Sequence, residues 1–149
     1  MADMYRLIYF SRATDATLSR LGAALHEILD VAIQHNSGVD VTGALLACGG
    51  WFVQALEGPR QNVGEVYSRI SSDRRHEALQ VIRAAPVAAR KFSKWSMCGR
   101  ELSPSDNAIV QVLETKNGFD PAHLSEQSSL RLLAIIAKLQ AGANPRTLI

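Results

Sequence analysis

The sequence predicts an α+β fold of ferredoxin-like type: a βαββαβ sheet with two helices on one face, a fifth strand and C-terminal helices appended. Three observations predict it. Segments whose apolar residues alternate take turns with segments whose apolar residues step by three and four, in the order strand, helix, strand, strand, helix, strand. Glycine and proline pairs fall between them, where the chain must turn. A length of 149 residues, 47% hydrophobic and 20% charged, suits one compact domain with a short appendage.

Met4 to Ser11, MYRLIYFS, alternates with Tyr5, Leu7 and Tyr9 on one face and Arg6, Ile8 and Phe10 on the other, as a strand does. From Thr17 to about His35, Leu18, Leu21, Leu25, Ile28 and Ala32 form one helical stripe, which Ser37-Gly38 ends. Val41 to Ala47 reads as a second strand, and Gly49-Gly50 as a tight turn into a third, Trp51 to Glu57. Pro59 opens a helix with Val63, Val66 and Ile70 inward and Asp73 one turn further on. Ala78 to Pro86 and Trp95 to Arg100 are the fourth and fifth strands. Ser103-Pro104 starts a short helix to about Thr115, closed by Asn117-Gly118, and Asp120-Pro121 starts another. SSLRLLAIIAKLQA then follows, apolar around most of its circumference with Arg131 and Lys138 as a thin polar edge. Such a helix must be covered, either by the open face of the sheet or by another copy of the chain.

A net charge of +2 and a pI near 8.7 come from scattered arginines without a basic block, so nucleic acid is not indicated. Cys48 and Cys98 form no CxxC pair and show no metal-ligand spacing to His26, His35, His76 or His123; they read as buried thiols of a reducing cytoplasm. No signal region and no apolar run of about 18 residues appears, so a cytoplasmic protein with no membrane association is expected.

The strand WFVQALEG carries an amide, Gln54, between apolar neighbours. Each donor or acceptor of a buried carboxamide left bare costs about 1–3 kcal/mol, so something polar must meet it. The first and third strands are central neighbours in this topology, which lets Tyr9 and Gln54 both point toward the helices. Asn36 continues the stripe of Ile28 and Ala32 and brings a second amide to the same layer. Two readings follow from periodicity: Tyr9 and Gln54 satisfy each other, or the three polar groups face a flat, hydrogen-bonding ligand.

These residues resemble the BLUF domains, bacterial blue-light sensors that use a flavin. RLIYFSRA resembles the family's first strand, with Tyr9 at the photoactive tyrosine; HNSGVDVTGALL resembles its second block, with Asn36 at the flavin-binding asparagine and His35 beside it. WFVQALEGP is similar to the block of the switching glutamine, here Gln54. DRRH resembles the Asp-x-Arg-His sequence, giving Asp73, Arg75 and His76, and KFSKWSM places Trp95 and Met97 at the signalling positions. Five ordered blocks from Met4 to Met97 make the resemblance specific. Ala32 stands where many relatives carry serine, which leaves one polar contact near Gln54 unassigned.

The resemblance implies a noncovalently bound FAD, with Asn36 on the polar edge of its ring, Ile28 and Ile70 sandwiching the ring plane, and Arg69, Arg75 and His76 near the ring edge, ribityl chain or phosphates. It further implies that light draws an electron and a proton from Tyr9 through Gln54, whose hydrogen bonding then changes, giving a red-shifted state that Trp95 and Met97 report. Residues 1–100 would form the photosensor, and 101–149 an extension for output to an effector protein in trans or for homo-oligomerisation. No enzymatic activity is expected. A flavin-free regulatory or interaction module of the same fold is the alternative reading.

Overall fold

A computed structural model describes residues 3–102 and 119–141. In chain order its elements are β1 (Met4–Ala13), α1 (Asp15–Leu18), α2 (Leu21–Gly38), β2 (Thr42–Cys48), β3 (Trp51–Pro59), α3 (Arg60–Ser71), β4 (His76–Pro86), β5 (Cys98–Leu102), a 3-10 turn at Pro121–His123, and α4 (Glu126–Ala141). The strands form one sheet in the order β4-β1-β3-β2-β5, antiparallel except for the β2–β5 pair. This is the predicted α+β, ferredoxin-like order with β1 and β3 central and a fifth strand added beside β2. The short helix expected from Ser103 to Thr115 lies outside the described residues.

Each face of the sheet has its own core. Leu7, Tyr9, Leu45, Phe52 and Leu56 pack under Leu25 and Leu29 of α2 and Val63 and Val66 of α3. On the other face, Ile8, Phe10, Leu46, Val53 and Ala55 meet Leu130, Leu132, Leu133 and Ile136 of α4. Of the two covers considered for the apolar C-terminal helix, the sheet supplies one within the chain. Burial of each of these leucines and isoleucines contributes about 1.5–3 kcal/mol.

Three expectations need correction. The single helix from Thr17 to His35 is two. Ser19 bonds its hydroxyl to the Ala16 carbonyl at 2.8 Å, and Arg20 leaves helical geometry, so α1 stops after one turn. Leu18, 42% exposed, leaves the stripe and sits beside Gly50 of the hairpin. Asp73 lies in the turn after α3, not on the helix, which ends at Ser71. The fifth strand begins at Cys98, not Trp95. Trp95 packs in the α4 layer while Met97 packs in the α2/α3 layer, and residues two apart in a strand cannot face opposite ways.

A buried ion pair has no counterpart in the sequence pattern. Arg6 and Glu57 face each other across β1 and β3 on the α4 side, with Nε to Oε2 at 2.7 Å and Glu57 fully buried. Removing one partner of such a pair costs about 3–5 kcal/mol, because the other charge stays buried. Gly43 marks a close approach: a β carbon there would run into the Ala55 carbonyl and lie 3.1 Å from the Met97 methyl.

Candidate functional site

Between α2 and α3, above β1 and β3, lies a cavity of about 240 Å³. All ten residues named from the sequence as candidate cofactor contacts line it: Tyr9 and Gln54 on the sheet, Ile28, His35 and Asn36 on α2, Arg69 and Ile70 on α3, and Asp73, Arg75 and His76 in the turn and strand that follow. Val31, Ala32, Leu45, Phe52 and Val66 complete the wall. Four of these are legible in the sequence: Ala32 and Val66 lie on the inward stripes of their helices, Phe52 shares the face of Gln54 by period two, and Leu45 is the cross-strand partner of Gln54.

Tyr9 stands directly opposite Gln54 in the β1–β3 register, which sets both side chains on the cavity face. The Tyr9 hydroxyl donates to Gln54 Oε1, and Gln54 Nε2 donates to Met97 Sδ at 3.3 Å. Tyr9 and Gln54 do satisfy each other in part. A thioether is a weak acceptor, however, and among the described residues it is the one acceptor of that amide nitrogen. Asn36, 2% exposed, donates from Nδ2 to the Ser96 carbonyl at 3.3 Å, while its Oδ1 finds no donor among the described residues. The cavity wall therefore offers a buried donor from one amide and a buried acceptor from the other. The edge of a flavin ring, with adjacent carbonyl and N–H groups, fits that pair.

Burial, with Tyr67 and Asp73 nearby, raises the Tyr9 phenol pKa far above its ordinary value near 10. Tyr67 packs edge-on against it with ring centroids 5.3 Å apart. Because the fold favours the neutral phenol, its contribution to stability is complete below about pH 10 and is lost as pH rises from there toward the folded pKa. An alkaline titration should therefore show no phenolate from Tyr9 while the protein is folded. Wild type and Tyr9→Phe should give the same phenolate rise up to the onset of unfolding; an extra phenolate in the wild type near pH 10 would contradict this.

His76 bridges two elements. Its Nε2 bonds the Ile70 carbonyl at 2.7 Å, where it must be the donor, and its Nδ1 bonds the Ser11 hydroxyl at 2.6 Å. Arg75 binds Asp73 at 2.5 Å and lies 3.9 Å from Glu27, which pairs with Arg20 at 2.6 Å. The hydrogen bonds from Arg75 hold the Asp73 carboxyl below the usual range despite its partial burial. Arg69, exposed at the rim, makes no ion pair among the described residues. Neither cysteine faces the cavity: Cys48 and Cys98 lie in the α4 layer, and burial pushes the Cys98 thiol up to about 12. Trp95 also lies in that layer, so Met97 is the member of the signalling pair that touches Gln54.

A slot floored by a tyrosine–glutamine pair, with one amide on the Ser96 carbonyl and the other on the Met97 sulfur, has the form of a ligand-binding domain. Comparison with known proteins makes the class specific. The family model described as BLUF, sensors of blue-light using FAD, matches residues 4–98, and the chain belongs to that family. It is 33% identical over 147 residues to the photoactivated adenylate cyclase subunit beta of Euglena gracilis, covering 96% of this chain but 16% of that protein. It is 37% identical over 73 residues to the blue light- and temperature-regulated antirepressor BluF of Escherichia coli (strain K12), covering 49% of this chain and 18% of that protein. The dark-state structure of BlrB, a BLUF protein, superposes with a TM-score of 0.72 at 29% identity over 96% of this chain and 99% of that one. This chain is thus a blue-light sensor of the flavin-using type. No helix among the described residues is long and apolar enough to cross a membrane.

Proposed function

We propose that the cavity holds FAD noncovalently, that light acts at Tyr9 and Gln54, and that the signal passes through Met97 and Trp95 to α4 and a partner protein in trans. The observation that carries this reading is the pair of unmet amide groups, on Gln54 and Asn36, in the wall of a slot whose floor is Tyr9. When bound, the flavin supplies absorption of blue light and one-electron chemistry. Asn36 Oδ1 and the Gln54 amide would hold its polar edge, and Ile28 and Ile70, which line the cavity from α2 and α3, would hold its ring. Arg69, with no carboxylate partner among the described residues, suits the phosphates, and His35 lines the same cavity from α2. Arg75 and Asp73 line the cavity as an ion pair, and His76 ties β1 to the end of α3 beside them. Tyr9 would be the source of one electron and its phenolic proton for the light-excited flavin, and Gln54, whose Oε1 already accepts the Tyr9 hydroxyl bond, would be the group through which that proton passes. Gln54 then changes its hydrogen bonding, and the bond to Met97 changes with it.

In this reading residues 1–100 are the photosensor and 101–149 the output segment, working in the cytoplasm without enzymatic activity of its own. A homo-oligomer belongs to the same reading, with α4 already burying its apolar side on the sheet of its own chain. A flavin-free module accounts for the fold but leaves the amides unmet. The test is the purified protein. It should be yellow, and the flavin released on denaturation should be FAD and not FMN; a colourless protein that takes up no flavin on refolding with FAD would sink the reading.

A further inference from the structure

On the face of the sheet opposite the cavity, the carboxylate of Glu57 gathers the chain between β4 and the Trp95–Met97 segment. Its Oε1 accepts the backbone N–H groups of Lys91 at 2.9 Å and Phe92 at 2.8 Å, and its Oε2 accepts Arg6 Nε at 2.7 Å. Arg6 reaches on to the Ala89 carbonyl at 3.4 Å. From the same turn, Arg90 donates to Thr42 Oγ1 at 2.8 Å and to the carbonyl and carboxylate of Asp40, each at 2.9 Å. The Phe92 side chain is buried in the α4 layer. Most of these bonds are short, and most have a charged partner, the stronger kind of hydrogen bond.

The next residues are held differently. The Trp95 carbonyl accepts from Gly43 N–H at 3.2 Å, the Ser96 carbonyl from Asn36 Nδ2 at 3.3 Å, and Met97 Sδ from Gln54 Nε2 at 3.3 Å. All three join neutral groups; the two to carbonyls are long, the third ends on a thioether, a weak acceptor, and two of the three come from the amides that line the cavity. A firmly clamped turn therefore adjoins a lightly held segment whose restraints are the groups that light is to rearrange.

We propose that the buried Arg6–Glu57 pair is a positioning device: a fixed pivot at residues 89–92 that prevents movement of residues 93–97 from dissipating into β4 and directs it through Trp95 into α4. This rests on the signal path proposed above. Glu57 lies three residues beyond Gln54 on the opposite face of β3, so it acts through the backbone of Lys91 and Phe92 and not on the cavity itself.

The test is hydrogen exchange on the full chain loaded with FAD, dark against lit. Expected are light-induced changes at residues 93–97 and 126–139, with the Lys91 and Phe92 amides slow and unchanged. Glu57→Gln keeps the side chain's size and one acceptor oxygen. It should keep the red shift, speed exchange of the Lys91 and Phe92 amides about tenfold or more, and reduce the light effect on α4 about fivefold as the change spreads to residues 87–92. A wild-type-sized effect on α4 in this variant, with Lys91 and Phe92 loosened, overturns the pivot. Should the variant fail to fold, the wild type decides: an α4 response accompanied by equal changes at Lys91 and Phe92 removes the pivot alone, whereas no response at α4 removes the signal path and the pivot with it.

Discussion

Gln54→Leu is expected to abolish the light-induced red shift while the flavin stays bound. The variant keeps an apolar side chain of similar size on the cavity floor, so the slot between α2 and α3 remains, with Asn36, Ile28 and Ile70 unchanged. What it removes is the acceptor of the Tyr9 hydroxyl and the donor to Met97. The stranded hydroxyl, in a residue only 2% exposed, should lower stability by about 1–3 kcal/mol. Tyr9→Phe is the companion: it removes the electron and proton source, leaves the glutamine, and should give the same photochemical silence with flavin retained. Absorbance before and after blue light measures both. A normal red shift in either variant would contradict the roles given to the pair.

Met97→Ala is expected to separate photochemistry from output. Met97 is 2% exposed and joins Gln54 to the segment that carries Trp95. Deleting its buried thioether should destabilise the fold by about 2–5 kcal/mol, within reach of a domain that starts with ordinary stability. Tyr9 and Gln54 keep their own hydrogen bond, so the red shift should survive. The light effect on exchange at residues 126–139 should fall about fivefold or more, since light biases α4 only by the difference in contact energy between two arrangements of this segment. An undiminished α4 response would mean that the signal leaves Gln54 by another route.

The parts of the site legible in the sequence are those fixed by short-range geometry. Period two placed Tyr9 and Gln54 on one face, and the strand order made them neighbours, as the register confirms. Period three to four brought Ile28 and Asn36 to the same layer. The features missed are set by distant partners. Nothing local to Glu57 shows that its acceptors are met by backbone N–H groups more than thirty residues away, at Lys91 and Phe92. The irregular run before β5 depends on Gly43 and Asn36, which hold two consecutive carbonyls and let Trp95 and Met97 face opposite layers. The break at Ser19 lies inside a good helical stripe, where a serine hydroxyl competes with the helix for a carbonyl. The apolar C-terminal helix announced that it must be covered, but its own sequence could not choose between the sheet and a second copy.

The central claim is that light rearranges hydrogen bonds at Gln54 without making a covalent bond, and both cysteines lie on the far side of the sheet from the cavity. The most direct measurement is the visible absorption spectrum of the purified wild-type protein in the dark, under blue light, and again after a return to darkness. The expected result is a flavin band that keeps its height and shape, moves slightly to longer wavelength in the light and returns in the dark. A bleached band, as an adduct would give, or a spectrum indifferent to light, would contradict it.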